Sequence, residues 1–235
     1  MSDLPNISIL TPTYNRNKFL PLYLHNLKNL NYPHKKIEVC IDDDGNEPFT
    51  DNIAGLQLDI YPMKLVYHRS KKKRTIGEKR NNLVKKLSSN KFLCFMDDDD
   101  IYDTDYLMYS YTMLKKHKVG LVGSSSMLFT YPQKDFIMTG IRCGNKIQIH
   151  EATMFFTKKY FNSMNGFENS SQGEGCKFIQ NNKNVFDSEN DFFMICVAHD
   201  GNTIDKKQFD RPDLSVDDYY EGEKAEILKE ILCLK

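Results

Sequence analysis

Residues 92–96 (FLCFM) run without a break into four aspartates, Asp97, Asp98, Asp99 and Asp100. A short, wholly apolar run of this kind reads as a strand buried on both faces, the pattern of a parallel sheet. Stopping it on four carboxylates concentrates negative charge at one strand end, which is costly unless something positive arrives. The chain repeats the device upstream. Residues 37–41 (IEVCI) stop at Asp42, Asp43, Asp44 and Gly45, and residues 7–11 (ISILT) end in Pro12, Thr13, Tyr14, Asn15 and Arg16. In open α/β sheets ligands bind beyond the carboxyl ends of the strands, so these three ends mark one rim as the binding site.

Helical periodicities fill the gaps between the strands. Phe19, Leu20, Tyr23, Leu24, Leu27 and Leu30 recur at helical spacing, with Asn17 as a cap and Pro21 in the first turn. Residues 65–67 read as a third strand, 76–87 as a helix, 105–116 as another helix and 119–122 as a strand. Strand alternating with helix implies βαβ units and a mostly parallel central sheet flanked by helices, a Rossmann-like α/β fold. The second half is less regular. Strands are expected at 152–156 and 192–198, short helices at 158–164 and 174–179, and an amphipathic helix packing on the body at 224–234.

Charge and cysteine usage narrow the class. Thirty-two basic residues balance thirty-two acidic ones, so no global field recruits nucleic acid or an anionic membrane. The run Lys71, Lys72, Lys73, Arg74 reads as a solvated loop, with closure over a diphosphate as the second reading; no aromatic residues interleave it as nucleic-acid binding would want. Six scattered cysteines form no C-x-x-C pair, which suits a reducing compartment. With no signal peptide or transmembrane segment in the sequence, a cytoplasmic location is expected.

The acidic tetrad offers hard oxygen ligands suited to Mg²⁺ or Mn²⁺, which can share remaining positions with substrate phosphates. Alternate residues of an extended segment point the same way, so Asp97 and Asp99 converge. The competing reading is a solvated acidic turn before a helix. Arg80 lies on the apolar face of its helix, four after Ile76 and four before Val84. A charge facing inward needs a partner; an ion pair with Asp43 or Asp44 and a contact to a nucleotide diphosphate both satisfy it.

In this order and spacing, residues 7–16 (ISILTPTYNR), 41–45 (IDDDG) and 92–107 (FLCFMDDDDIYDTDYL) resemble the successive signatures of family 2-type glycosyltransferases with the GT-A fold. The resemblance implies a single GT-A domain, with a nucleotide-sugar-binding half over 1–118 and an acceptor and catalytic half over 119–235. It implies that Pro12 and Tyr14 line the base pocket, that Asp43 and Asp44 meet the base, and that Arg80 neighbours base or diphosphate. Asp97, Asp98 and Asp99 match the D-x-D element, with Asp99 holding the metal, Asp97 and Asp98 orienting ribose and ion, and Asp97 also a metal ligand. His199, at the end of a later strand, is a further metal ligand or diphosphate contact by the same resemblance, against a structural histidine. The usual VDDGS is here IDDDGN, with one extra acid and no serine.

The implied reaction is metal-dependent transfer of a sugar from a nucleoside-diphosphate sugar, UDP-sugar favoured, to an acceptor hydroxyl of a glycan, lipid or protein, with inversion. Family members carry an acidic pair, often Glu-Asp, at the start of a helix. Residues 173–178 (GEGCKF) resemble that element with its second acid lost, which makes Glu174 the expected general base; Glu189 and Asp191 are the other candidates. The thinned pair keeps open an alternative, a nucleotide-sugar-binding module without catalysis.

Overall fold

The computed structural model describes residues 4–180, 183–190 and 193–234. In chain order its elements are β1 (Ile7–Thr13), α1 (Leu20–Lys28), β2 (Ile37–Asp43), α2 (Ile53–Asp59), β3 (Lys64–Arg69), α3 (Ile76–Asn82), β4 (Phe92–Phe95), β5 (Ile101–Tyr102) and α4 (Tyr106–His117). There follow β6 (Leu121–Gly123), β7 (Ser126–Tyr131), β8 (Ile137–Arg142), β9 (Phe155–Thr157), α5 (Lys158–Ser163), α6 (Cys176–Ile179), β10 (Val185–Asp187), β11 (Met194–Val197), β12 (Ser215–Tyr219) and α7 (Glu223–Ile231).

The central sheet has the order β10-β6-β9-β4-β1-β2-β3. β1 pairs parallel with β2 and β4, β2 parallel with β3, and β10 parallel with β6; β9 runs antiparallel between β4 and β6. Each strand sends alternate residues to opposite faces. Ile7, Ile9, Val39, Ile41 and Cys94 join one core, while Leu10, Cys40, Leu93, Phe95 and Phe156 join the other with Leu83, Val84 and Phe178. The parallel register Thr13↔Asp43 brings the first two strand ends level, and Met96 N–H donates to Leu10 O beside them at 3.2 Å. One edge of the sheet therefore carries all three polar strand ends, as the sequence predicts. A second sheet, β12-β8-β7-β11-β5, packs alongside, and both sheets draw strands from both halves of the chain.

Several elements differ from expectation. The helix at 76–87 forms as α3 continued by a π turn to Leu87, opened by a Thr75–Glu78 capping box. Asn17 does not cap α1: a 3-10 turn, Asn17–Phe19, precedes the helix, and Phe19 holds the cap position without a side-chain bond. The strand expected at 152–156 divides into a 3-10 turn, Glu151–Thr153, and β9. The helix expected from Glu174 starts at Cys176, which leaves Glu174 in a loop. Residue 192, the expected start of β11, lies outside the described residues. α2, the β7–β8 hairpin and β12 have no counterpart in the sequence reading. The hairpin turn hides because Asp135 and Phe136, rather than a glycine, adopt left-handed backbone conformations. α7 packs as expected, burying Ala225 and Leu228 against Phe19, Leu22, Ile101 and Val197.

Candidate active site

The strand-end loops are built from local hydrogen bonds. Asn15 Oδ1 accepts from Asn46 N–H at 2.6 Å, tying the loop after β1 to the loop after β2. Gly45 permits that approach, since a Cβ there would lie 2.6 Å from Asn15 N. Asp42 is fully buried and accepts from Arg74 Nη2 at 2.6 Å, Arg74 Nη1 at 3.0 Å and Asn82 Nδ2 at 2.9 Å. Asp43 accepts from Gly45 N–H and Phe49 N–H, both at 2.8 Å, and from the Tyr67 hydroxyl at 2.6 Å. Asp44 accepts from Lys79 Nζ at 2.8 Å and Arg74 N–H at 2.6 Å. These three acids thus organise the rim from within.

The basic run is not wholly solvated. Its last residue, Arg74, holds Asp42 with a two-toothed fork, and Lys73 Nζ sits 3.9 Å from the centroid of the Tyr14 ring. Arg80 also departs from its expected pairing with Asp43 or Asp44. Lys79 takes Asp44, and Arg80, about 100° further round the helix, crosses the Phe95 ring at 4.2 Å. Its Nε donates to Glu174 Oε1 at 3.0 Å and its Nη2 lies 3.8 Å from Asp97 Oδ1. Only 4% of Arg80 is exposed, and its Nη1 is buried without a hydrogen-bond partner.

Around this guanidinium opens a cavity of about 210 Å³. Pro12, Tyr14, Arg80, Asp97, Asp98, Asp99 and Glu174 line it; Asp43, Asp44 and His199 do not. His199 lies behind the wall, its Nε2 2.9 Å from Asp99 Oδ2. Glu189 is outside the lining, and Asp191 lies outside the described residues. Asp187, beside Glu189, ends a strand parallel to β6 and accepts from Ser125 N–H and Glu189 N–H.

The aspartates of the tetrad hold their protons unequally. Burial raises the proton affinity of Asp97, with Asp99 and Glu174 adding to it against the opposing Arg80. Burial and the neighbouring Asp99 push Asp98 and Asp100 well above the usual carboxylate range. Asp99 goes the other way: burial would raise it, but the Arg16 guanidinium 3.1 Å away and His199 hold it at about 2. Asp97 Oδ1 and Asp98 Oδ2 are buried without a hydrogen-bond partner. Such an under-neutralised set of hard oxygens fits a divalent cation, although among the described residues no three acidic, histidine or cysteine side chains form a ready cage.

The opposite wall was mostly invisible in the sequence. Glu151 and His150 line it beside Glu174, and Arg16 and Lys206 complete the cationic side. Lys206 is partly buried, and the nearby Asp100, Asp99 and Asp97 help raise its proton affinity against the effect of burial. Burial, Lys206 and Arg80 lower His150 to about 3, so it is neutral. The one cue to Arg16 was its place at the end of the first strand motif.

A mostly parallel sheet whose strand ends border an acid-lined cavity has the α/β architecture of the GT-A fold. The chain belongs to glycosyl transferase family 2, whose model it matches over residues 8–166. It is similar to the *Campylobacter jejuni* GalNAc(5)-diNAcBac-PP-undecaprenol beta-1,3-glucosyltransferase, with 30% identity over 98 residues, 41% of this chain and 30% of that protein. It is also similar to *Salmonella typhimurium* abequosyltransferase RfbV, with 28% identity over 109 residues, 46% of this chain and 32% of that protein. The chain thus spans about a third of these curated relatives. Among solved structures, *S. aureus* TarS 1-349 in complex with UDP-GlcNAc has the same fold, with a TM-score of 0.62 at 16% identity over 97% of this chain and 66% of that one. So does a mannosyltransferase from *Pyrobaculum calidifontis* in complex with GDP-Man and Mn²⁺, with a TM-score of 0.61 at 17% identity over 88% and 59% of the two chains. Among the described residues no helix is long and apolar enough to cross a membrane.

Proposed function

We propose that the protein is a metal-dependent glycosyltransferase that moves a sugar from a nucleoside-diphosphate sugar, with UDP the favoured nucleotide, to an acceptor hydroxyl in glycan synthesis, inverting the anomeric centre. The observation that carries this reading is the convergence of Tyr14, Arg80, Asp97, Asp98 and Asp99 on one cavity at the carboxyl ends of the sheet. Residues 1–118 supply the donor side and residues 119–235 the acceptor side, with Glu151 and Glu174 facing the tetrad across the cavity. The curated relatives named as sugar transferases and the neighbours solved with UDP-GlcNAc or with GDP-Man and Mn²⁺ support the class of donor. Six unpaired cysteines fit a reducing, cytoplasmic setting.

Each wall has a task. Tyr14 presents a ring to the base beside Pro12. Asp43 and Asp44 reach the donor indirectly, by holding the loop of Gly45 and the ammonium of Lys79 in place. Asp98 orients the ribose. Asp97 and Asp99, with His199 behind Asp99, would hold a divalent cation whose chemistry is Lewis-acid neutralisation of the departing diphosphate. Arg80 adds a fixed positive charge beside that diphosphate. A carboxylate of the acceptor wall receives the proton of the attacking hydroxyl, and Glu174 is the one that the motif singles out.

Calorimetric titration with UDP-, GDP- and dTDP-sugars, with and without Mn²⁺, tests the reading. Binding that requires Mn²⁺ and is lost in D99N is the expected result. Absence of binding by every sugar nucleotide with the cation present overturns it.

A further inference from the structure

Gly175 follows Glu174 at the mouth of α6, with an ordinary right-handed backbone, φ −83° and ψ −13°. Nothing in that conformation calls for glycine. What calls for it is space: a Cβ at 175 would lie 2.7 Å from Glu151 Oε1, 2.8 Å from its Cγ and 3.1 Å from its Cδ. The carboxylate of Glu151 fills the volume into which a side chain at 175 would project, and Gly175 N–H donates to Glu151 Oε1 at 3.1 Å. An acid missing from the α6 loop is thus delivered to the same spot from a segment 24 residues earlier.

Building on the transferase reading, we propose that Glu151 is the general base and that Glu174 is a positioning residue clamped on Arg80. The two carboxylates differ in how they are engaged. Glu174 is spent on Arg80 Nε at 3.0 Å. Glu151 has no cation at ion-pair distance among the described residues; its carboxylate is met by main-chain N–H groups, Gly175 N–H donating to Oε1 at 3.1 Å. Burial and the adjacent Glu174 raise the proton affinity of Glu151, with Arg80 opposing, which moves it toward the range where a carboxylate works as a base near neutral pH. The titratable groups facing it are Arg80 from α3, Glu174 and Cys176 at α6, and His150 from its own turn. His150 is no rival: burial, Lys206 and Arg80 lower it to about 3, which makes it too weak a base, and its Nδ1 already accepts from Ala152 N–H at 3.3 Å.

The scaffold under Glu151 is rigid. Thr153 Oγ1 donates to His150 O at 2.7 Å, Met154 N–H donates to Glu151 O at 3.1 Å, and Phe95 N–H at the end of β4 donates to Met154 O at 3.0 Å. In the reaction the acceptor O–H bond breaks and its proton passes to the Glu151 carboxylate. The freed oxygen pair forms the bond to the anomeric carbon, and the bond from that carbon to the diphosphate oxygen breaks with its pair leaving on the diphosphate.

The test measures nucleoside-diphosphate release from UDP-N-acetylglucosamine, UDP-glucose and GDP-mannose with Mn²⁺, with water as acceptor, alongside calorimetric donor binding. Glu151→Gln keeps an amide oxygen for Gly175 N–H and so keeps the fold. It lowers kcat by roughly 10²–10⁴-fold and leaves donor Kd within about twofold. It also removes the acidic limb of the kcat/KM pH profile. The paired change E151A/G175D, which vacates the spot and refills it from position 175, restores part of the lost rate. A Glu151→Gln enzyme within about threefold of the parent kcat overturns the assignment, as does loss of the acidic limb in Glu174→Gln while Glu151→Gln retains it. If the parent protein binds and turns over none of the three donors, the transferase reading itself falls and takes this assignment with it.

Discussion

Replacing Arg80 by methionine keeps an apolar stem over the Phe95 ring and removes one buried cation. In the parent, that cation stands 3.0 Å from Glu174 and 3.8 Å from Asp97, with only 4% of the residue exposed. The variant leaves the buried Glu174 and the half-buried Asp97 and Glu151 without it. Breaking a buried ion pair from one side costs about 3–5 kcal/mol, and at this chain length each kcal/mol lowers the melting temperature by roughly 2–4 °C. The expected drop is therefore roughly 6–20 °C at pH 8 in the presence of EDTA. The drop also depends on pH with a definite sign. Burial already lifts the proton affinities of Asp97 and Glu151 above their ordinary values, and Arg80 opposes that rise; without Arg80 they rise further. Groups that bind protons more tightly folded than unfolded lose stability as pH rises through the folded value and regain it as pH falls towards the unfolded one. The R80M deficit should shrink between pH 8 and pH 5, measured by circular dichroism melting of both proteins at each pH. A melting temperature within about 2 °C of the parent at pH 8, or a deficit that does not shrink at pH 5, refutes the reasoning.

Two further perturbations probe other parts of the site. Tyr14→Ala should weaken donor binding by about 1–3 kcal/mol, the usual contribution of an aromatic platform to base stacking, with little change in melting temperature; unchanged donor Kd by calorimetry would remove Tyr14 from the base pocket. Gly77→Ala places a Cβ 1.7 Å from the Glu168 carbonyl oxygen at the N-terminus of α3, so the helix and the 168–170 loop must separate. A loss of about 1–3 kcal/mol in urea unfolding is expected, and an unchanged midpoint would show that this loop moves freely.

The tetrad side of the cavity was legible in the sequence because its chemistry is local. A strand followed at once by aspartates puts those aspartates at the strand end whatever the rest of the chain does, and Asp97, Asp98, Asp99, Tyr14 and Pro12 all line the cavity. Arg80 was legible as an inward charge but not as to partner, because one residue of helix rotation separates it from Lys79, which took Asp44 instead. The wall of Glu151 and Glu174 was not legible. Glu151 meets Gly175, and Glu174 meets Arg80, across separations of 24 and 94 residues, and no periodicity reports such contacts. The cue that did exist was negative: a glycine beside Glu174 where a second acid was expected. The β7–β8 hairpin stayed hidden because its turn uses Asp135 and Phe136 at positive φ, where pattern reading looks for glycine or asparagine.

The Tyr102 hydroxyl accepts from Asp97 N–H at 2.8 Å and donates to Ala152 O at 3.2 Å. One phenol therefore touches the main chain of both walls, at the first aspartate and beside Glu151. The spacing between Asp97 and the turn that carries Glu151 is held by that one oxygen, so a residue at 102 without it would let the two walls drift apart while every carboxylate remained present.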